Sequence, residues 1–292
     1  VGIDVGLVVL PSDRWSEARR QWEWAEDAGF PTAYTYDHIR WGGMPAGPWH
    51  AAYPVLAAAA MVTERIRLGT LVTSPNFRHP VALAREVVTL DDLSGGRFDL
   101  GIGAGSQGYD AEILGHEPWN TAERAERFAE FVELLDLLLT EPMTTWSGRH
   151  YRAVEAPTTP GCRQSPRVPF TVAGGGPRSL AVAARHGQRW VTTGPVGPGL
   201  RDAPRVLVAA RRQAERLTEA CAAVGREPAD IGRVLLAADP ALQPRSLGEF
   251  EDLAGPVEAL GFTEIVLHHP EQSGPFGGDL PTLTEISRRY NA

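Results

Sequence analysis

The sequence predicts an α/β protein with one domain over residues 1–292, folded as a (β/α)8 TIM barrel with an irregular insertion after the fourth helix. Three observations carry this expectation. Eight short apolar runs of strand character alternate with eight runs of helical periodicity. Such alternation calls for a parallel sheet joined by helical crossovers. The length suits a closed barrel, which takes about 250 residues before insertions; an open doubly wound sheet is the structural alternative. No linker, low-complexity tract or repeat beyond the alternation interrupts the pattern.

The first strand covers Gly2 to Leu10 and stops at Pro11. Ser12 or Asp13 is placed to cap the helix from Trp15 to Ala28, which Gly29 ends. Ala33 to Tyr36 is the second strand, and Asp37-His38 and a loop rich in Trp, Gly and Pro follow it. An alanine-rich helix, Pro54 to Thr63, leads to a third strand, Ile66 to Val72, whose exit is Thr73-Ser74-Pro75-Asn76. Val81 to Leu93 is helical, and Gly95-Gly96 punctuates its end. Phe98 to Ile102 reads as a buried parallel strand that opens into Gly103-Ala104-Gly105. An excursion to Gly115 precedes a long helix, Thr121 to Leu139, and residues 140–166 form the insertion, with a hairpin suggested around Ser147-Gly148-Arg149. Three further strands follow, Val168 to Ala173, Trp190 to Thr193 and Val234 to Ala238, with helices after them ending near His186, Val224 and Leu260. Glu264 to His268 is the last strand, and Leu283 to Tyr290 the last helix.

Composition excludes several classes. The chain is 43% hydrophobic and 22% charged with a net charge of −8, and its charges are scattered. The missing basic stripe argues against nucleic acid as a partner. No run of about 18 apolar residues predicts a membrane span, and the start has no signal-peptide pattern. Cys162 and Cys221 stand in unrelated contexts, so neither a disulfide framework nor a cysteine metal site is predicted. The default is a cytoplasmic protein acting on a small molecule.

In such barrels the active site lies at the C-terminal ends of the strands, and the unusual residues collect there. His38, with a pKa near neutrality, suits acid/base work, or is with Asp37 a turn pair. Gly101, Gly103 and Gly105 lack Cβ atoms, so a flat or charged group can approach that backbone; a tight turn is the plain alternative. Gly174-Gly175-Gly176 before Pro177-Arg178-Ser179 opens a helix whose N–H groups suit a phosphate, or is an ordinary turn. Thr193-Gly194 and His268-His269 end two other strands. Trp41, Met44, Trp49, His50 and Tyr53 are either a self-packed loop or the wall of an apolar substrate pocket; we read Trp41, Trp49 and His50 as pocket. Asp110 and Glu112 are expected to face solvent, with lining of the cleft as the lesser alternative.

With these motifs placed, the chain resembles the bacterial-luciferase-like family of flavin- and deazaflavin-dependent oxidoreductases. The resemblance is carried by Ala25-Glu26-Asp27-Ala28-Gly29-Phe30 with Asp37-His38, by Arg67 to Val72 with Phe77-Arg78-His79-Pro80, by Leu90 to Arg97, by Gly101 to Gly105, and by Ala173 to Pro177. It implies a barrel that holds FMN or the deazaflavin coenzyme F420 at its mouth, with the ring beside His38 and the phosphate near Gly174 to Gly176. The Asp37-His38 pair looks like the deazaflavin-using branch. On this resemblance, Asp37, Leu71, Val72, Ser74, Gly103, Gly105, Ser106, Ala173, Gly174, Gly175, Gly176, Thr193 and Gly194 hold the cofactor. A non-prolyl cis peptide after the third strand is also implied, with Leu71–Val72 as the match. Sugar-phosphate dehydrogenases of the family carry an acid just after Gly-x-Gly-x-Gly; Ser106-Gln107 stands there instead.

The leading expectation is hydride transfer between F420 and a small organic substrate, with His38 moving a proton or steering the substrate. The alternative is an FMN-dependent monooxygenase on the same barrel. Metal-assisted hydrolysis would call for His-x-His near the first strand end, which the sequence lacks, so no metal is expected. A cofactor-binding protein without turnover is a further alternative. A homodimer is implied by analogy with the family.

Overall fold

The chain closes on itself because its first strand pairs with its last. In the computed structural model, which describes residues 2–106, 110–117, 119–195, 202–271 and 274–291, eight parallel strands form a closed barrel. They are β1 (Asp4–Val8), β2 (Thr32–Thr35), β3 (Arg67–Thr70), β4 (Phe98–Gly103), β7 (Phe170–Ala173), β8 (Arg189–Thr192), β9 (Gly232–Leu236) and β10 (Glu264–His268). Their order round the barrel is β1-β10-β9-β8-β7-β4-β3-β2. The insertion after the long helix α5 (Thr121–Thr140) carries the expected hairpin, β5 (Met143–Ser147) antiparallel to β6 (Arg152–Pro157). Glu130 of α5 anchors it by accepting hydrogen bonds from the backbone N–H groups of Arg149, His150 and Tyr151.

The outer helices bury their apolar faces on the barrel. Phe128, Phe131, Leu134, Leu135 and Leu138 of α5 lie in one buried cluster with Trp22 of α1 (Trp15–Asp27) and Leu83 and Val87 of α3 (Pro80–Leu93). Neither residue predicted to cap α1 does so. The helix starts behind Arg14 without a side-chain cap. Ser12 Oγ instead donates to Glu271 Oε1 at 2.8 Å, and Asp13 accepts from Gln21 Nε2 at 2.7 Å.

Strand alternation sorts the barrel interior into layers. At the N-terminal end lies a polar layer that the sequence reading missed. Asp99 accepts from Arg67 and Arg189, Glu264 accepts from Thr32, and Tyr34 reaches Glu264 at 3.3 Å. Burial pushes the Glu264 carboxyl and the Tyr34 phenol up, and the charges of Asp99 and Glu264 help to hold the Arg189 guanidinium charged. Gly69 makes room for Tyr34, since a Cβ there would meet the ring at 2.9 Å. Above this floor an apolar layer of Val8, Tyr36, Leu71, Val191, Leu236 and Val266 carries the site.

Candidate active site

The C-terminal ends of the strands surround a cavity of about 1180 Å³. Its walls have two characters. On one side His38 and Tyr36 follow β2, faced by Trp41, Leu236 and Ala238. On the other, the exit of β4 (Gly103, Gly105 and Ser106) meets the exit of β7 (Ala173, Gly174, Gly175 and Gly176) and of β8 (Thr193 and Gly194). Leu71, Val72 and Ser74 line it from the β3 exit, and the Leu71–Val72 peptide bond is cis.

His38 is fixed by a residue that the sequence reading had placed in solvent. Asp110, the first residue of the short helix α4 (Asp110–Ile113), is only 2% exposed. Its Oδ2 lies 2.7 Å from His38 Nδ1, and its Oδ1 accepts from the backbone N–H of Ile39 at 2.8 Å and of Arg40 at 3.3 Å. A carboxylate engaged by two backbone donors accepts from Nδ1–H, which leaves Nε2 as the imidazole's second nitrogen for a ligand. Glu112 is exposed, as expected. Gln107 lies outside the described residues.

Asp37, read as a cofactor contact, does not reach the cavity. The period of two along β2 turns Tyr34, Tyr36 and His38 inward and Asp37 the other way. There it accepts from Arg78 Nε at 3.1 Å, Arg78 Nη2 at 2.7 Å and Thr73 Oγ1 at 2.9 Å, so it ties the β2 exit to the β3 exit. Of the predicted pocket aromatics, Trp41 lines the cavity and Trp49 stands behind it, with ring centroids 5.7 Å apart. His50 is exposed and only its backbone N–H is engaged, by Pro11 O at 2.7 Å. Tyr53 is buried within α2 (Ala52–Ala60), its hydroxyl 3.1 Å from Thr73 Oγ1. The loop therefore gives the site one aromatic wall and packs its other rings behind it.

The glycines of β4 serve the protein before any ligand. A Cβ on Gly103 would meet Val72 at 2.8 Å, and Gly105 has φ +73° with the Asn76 amide occupying its Cβ position. They let the β3 exit close on the β4 exit, which forms the wall. The turn after β7 is held by Trp190 Nε1 donating to Gly174 O at 2.7 Å, and Gly176 caps α6 (Pro177–His186) without a side chain. Arg178, expected to add charge here, lines the cavity with its Nη1 donating to Ala122 O at 3.0 Å.

Further residues were given no site role from sequence, His268 having been noted only as a strand end. Arg124 of α5 donates to Gly105 O at 2.6 Å. Gln213 of α7 (Ala203–Ala223) holds the β8 exit by donating to Gly194 O at 2.9 Å. His268 is 1% exposed and lies 2.7 Å from the Tyr36 hydroxyl. The alternation of β2 could have flagged Tyr36; nothing local marks the others.

The family model of luciferase-like monooxygenases matches residues 4–242. The chain belongs to that family. It is 37% identical over 171 residues to an F420-dependent glucose-6-phosphate dehydrogenase of Beutenbergia cavernae, a match covering 58% of this chain and 50% of that protein. A protein of the same name from Kineococcus radiotolerans is 28% identical over 270 residues, 91% of this chain and 76% of its own. The chain spans about half the length of the first of these curated relatives. Among solved structures, an F420-dependent secondary alcohol dehydrogenase in complex with an F420-acetone adduct superposes with a TM-score of 0.82 at 16% identity, covering 99% of this chain and 98% of that one. At that identity the likeness is one of fold.

Proposed function

We propose that this member of the family is an oxidoreductase that transfers a hydride between coenzyme F420 and a small organic substrate. The observation that carries the reading is the two-sided cavity. A histidine fixed by a buried carboxylate stands on one wall, and a glycine-lined helix start stands on the other. Both curated relatives described above carry F420 in their names.

The residues present fit that cofactor. Ser74 Oγ and Arg124 Nε are buried without partners on residues that line the cavity, and a polar ligand would satisfy them. Gly174, Gly175 and Gly176, with the N-terminus of α6 behind them, suit its phosphate. Leu71, Val72, Ala173 and Val191 give its ring an apolar bed, with Gly103, Gly105, Ser106, Thr193 and Gly194 around it. When bound, the deazaflavin supplies a carbon that gives or takes the hydride. His38 holds or moves a proton at Nε2, Asp110 keeps that nitrogen turned to the cavity, and Trp41 and Trp49 screen the site from water.

The reading does not carry glucose 6-phosphate over from the relatives. Ser106-Gln107 stands where sugar-phosphate dehydrogenases of the family have an acid, as the sequence already indicated. The FMN-dependent monooxygenase reading has less support, because the curated relative that covers 91% of this chain is a dehydrogenase by name. Titration of the purified protein with F420 and with FMN tests the proposal. F420 should bind with micromolar or better affinity and more tightly than FMN. F420 binding at background level sinks the reading, and tighter FMN binding turns it to the monooxygenase. We read the chain as one domain, supported by the pairing of β1 with β10, and as a cytoplasmic homodimer. The dimer rests on the family resemblance, and light scattering on the eluting protein decides it.

A further inference from the structure

We propose that Arg78 is a positioning residue: through Asp37 it holds the β2 exit, and with it His38, at a fixed distance from the β3 exit that beds the cofactor. The proposal rests on the oxidoreductase reading and names a residue behind the cavity wall on which that reaction depends.

The backbone pairing of β2 with β3 ends at Thr35 and Thr70, with one more bond from Leu71 N–H to Thr35 O at 2.9 Å. The residues that make the site lie just past that point, His38 on one side and Val72 and Ser74 on the other. There the join passes to side chains. Asp37, 1% exposed, precedes His38, and Thr73 stands between Val72 and Ser74. Thr73 Oγ1 donates to Asp37 Oδ2 at 2.9 Å. Arg78 grips the same carboxylate with two arms of its fork, Nε to Oδ2 at 3.1 Å and Nη2 to Oδ1 at 2.7 Å. An ionised carboxylate only accepts, so the Thr73 hydroxyl directs its proton there and accepts from the Tyr53 hydroxyl, 3.1 Å away.

Arg78 is itself fixed from several sides. Its Nη1 donates to Glu86 Oε2 of α3 at 2.9 Å, and its guanidinium carbon lies 4.7 Å from the centre of the Tyr53 ring and 4.8 Å from that of Phe77. The side chain is 16% exposed. A buried pair of this kind adds little stability over apolar side chains of similar volume, because both ions leave water. What it supplies here is direction, since a bidentate fork fixes the orientation of the carboxylate. The two walls do not depend on it equally. The Thr73 backbone is also bound to β4, its N–H to Gly101 O at 2.8 Å and its O to Gly103 N–H at 2.9 Å. The cofactor bed therefore keeps its place without Arg78. On the β2 exit, Asp110 turns the His38 ring and engages the N–H groups of Ile39 and Arg40, while Arg78 sets the distance to the bed. A misplacement of about 1 Å between reacting groups costs on the order of 100-fold in rate.

The test compares the full chain with Arg78→Met and Arg78→Lys, with F420 as the probe. Methionine keeps the apolar stem and loses the fork; lysine keeps the charge as a single point contact. Nitrogen-15 NMR reads the His38 imidazole, assigned with His38→Asn, and the Trp190 indole, whose Nε1 donates to Gly174 O on the opposite wall. Fluorescence titration reads F420 affinity on the same samples. Arg78→Met should shift and broaden the His38 signals, with and without F420, and leave the Trp190 signal in place. Its F420 affinity should stay within about twofold of the parent. In Arg78→Lys the His38 signals should lie between those of Arg78→Met and the parent. If Arg78→Met does not fold, Arg78→Lys is read against the parent by the same signals. His38 signals unchanged from the parent would overturn the proposal. So would a Trp190 signal displaced as far as that of His38, or F420 affinity lowered by about tenfold or more, since either assigns Arg78 to the general build of the barrel mouth. If F420 fails to bind even the parent, the oxidoreductase reading falls, and the ligand-free His38 signals still decide whether Arg78 holds that residue.

Discussion

Asp110 Oδ2 lies 2.7 Å from His38 Nδ1, although the two residues are 72 positions apart in the chain. The contact decides which imidazole nitrogen is available to a ligand. Removing the carboxylate in Asp110→Ala should lower kcat by about 100-fold, within the usual range of a general acid or base, while F420 affinity changes little. His38→Asn should cost a similar amount, and the double variant no more than either alone, because the two act as a unit. Additive losses in the double variant would show that Asp110 works elsewhere.

Gly105 is a position where the cofactor wall should be sensitive to a single methyl group. It has φ +73°, and the Asn76 amide fills the place of its Cβ. Gly105→Ala therefore adds about 1–2 kcal/mol of backbone strain and pushes Asn76 aside. F420 affinity should fall by about tenfold or more, with a melting temperature only a few degrees lower. Calorimetric titration and a thermal melt read both quantities on the same sample.

The polar floor of the barrel makes an opposite prediction. Asp99 is 1% exposed and takes hydrogen bonds from both Arg67 and Arg189. Asp99→Ala leaves two guanidinium groups without their carboxylate, and breaking a buried pair in this way costs about 3–5 kcal/mol. The melting temperature should fall by roughly 10 °C. The folded fraction should keep its F420 affinity, since the floor lies at the other end of the strands.

A pH prediction follows from His269, which is buried edge-on to Trp24 and pushed down to about 4 by that burial. Its pKa in the unfolded chain is about 6.5. As pH falls between these values the unfolded chain binds a proton that the folded one does not. The stability is therefore fully present above about pH 6.5 and is lost on the way down to about 4, by on the order of 2–3 kcal/mol. Denaturant melts across that range should show a flatter slope for His269→Gln than for the parent; equal slopes would assign the loss to other groups.

Much of the site was legible in sequence because its backbone is locally encoded. The glycines after β4 and β7 mark strand ends where no side chain fits, and alternation along β2 turns His38 inward. The same alternation excludes Asp37 from the cavity, and applying it residue by residue would have corrected that expectation. His50 and Trp49 were misjudged because a run of aromatics in a loop does not say which ring faces the cavity and which supports it. The burial of Asp110 went against the favoured solvent-facing expectation because it depends on contacts with His38, Ile39 and Arg40, some 70 positions away.

The sequence alone determined that eight strands alternate with helices and that the strand ends carry the unusual residues. These follow from periodicity and from backbone preferences acting over a few residues. Only the tertiary structure decided who meets whom inside the barrel. Tyr36 and His268 are 232 positions apart and touch because β1 lies between β2 and β10 in the closed ring. Closure brings first and last strands together, and no local pattern in either strand specifies its partner across that space.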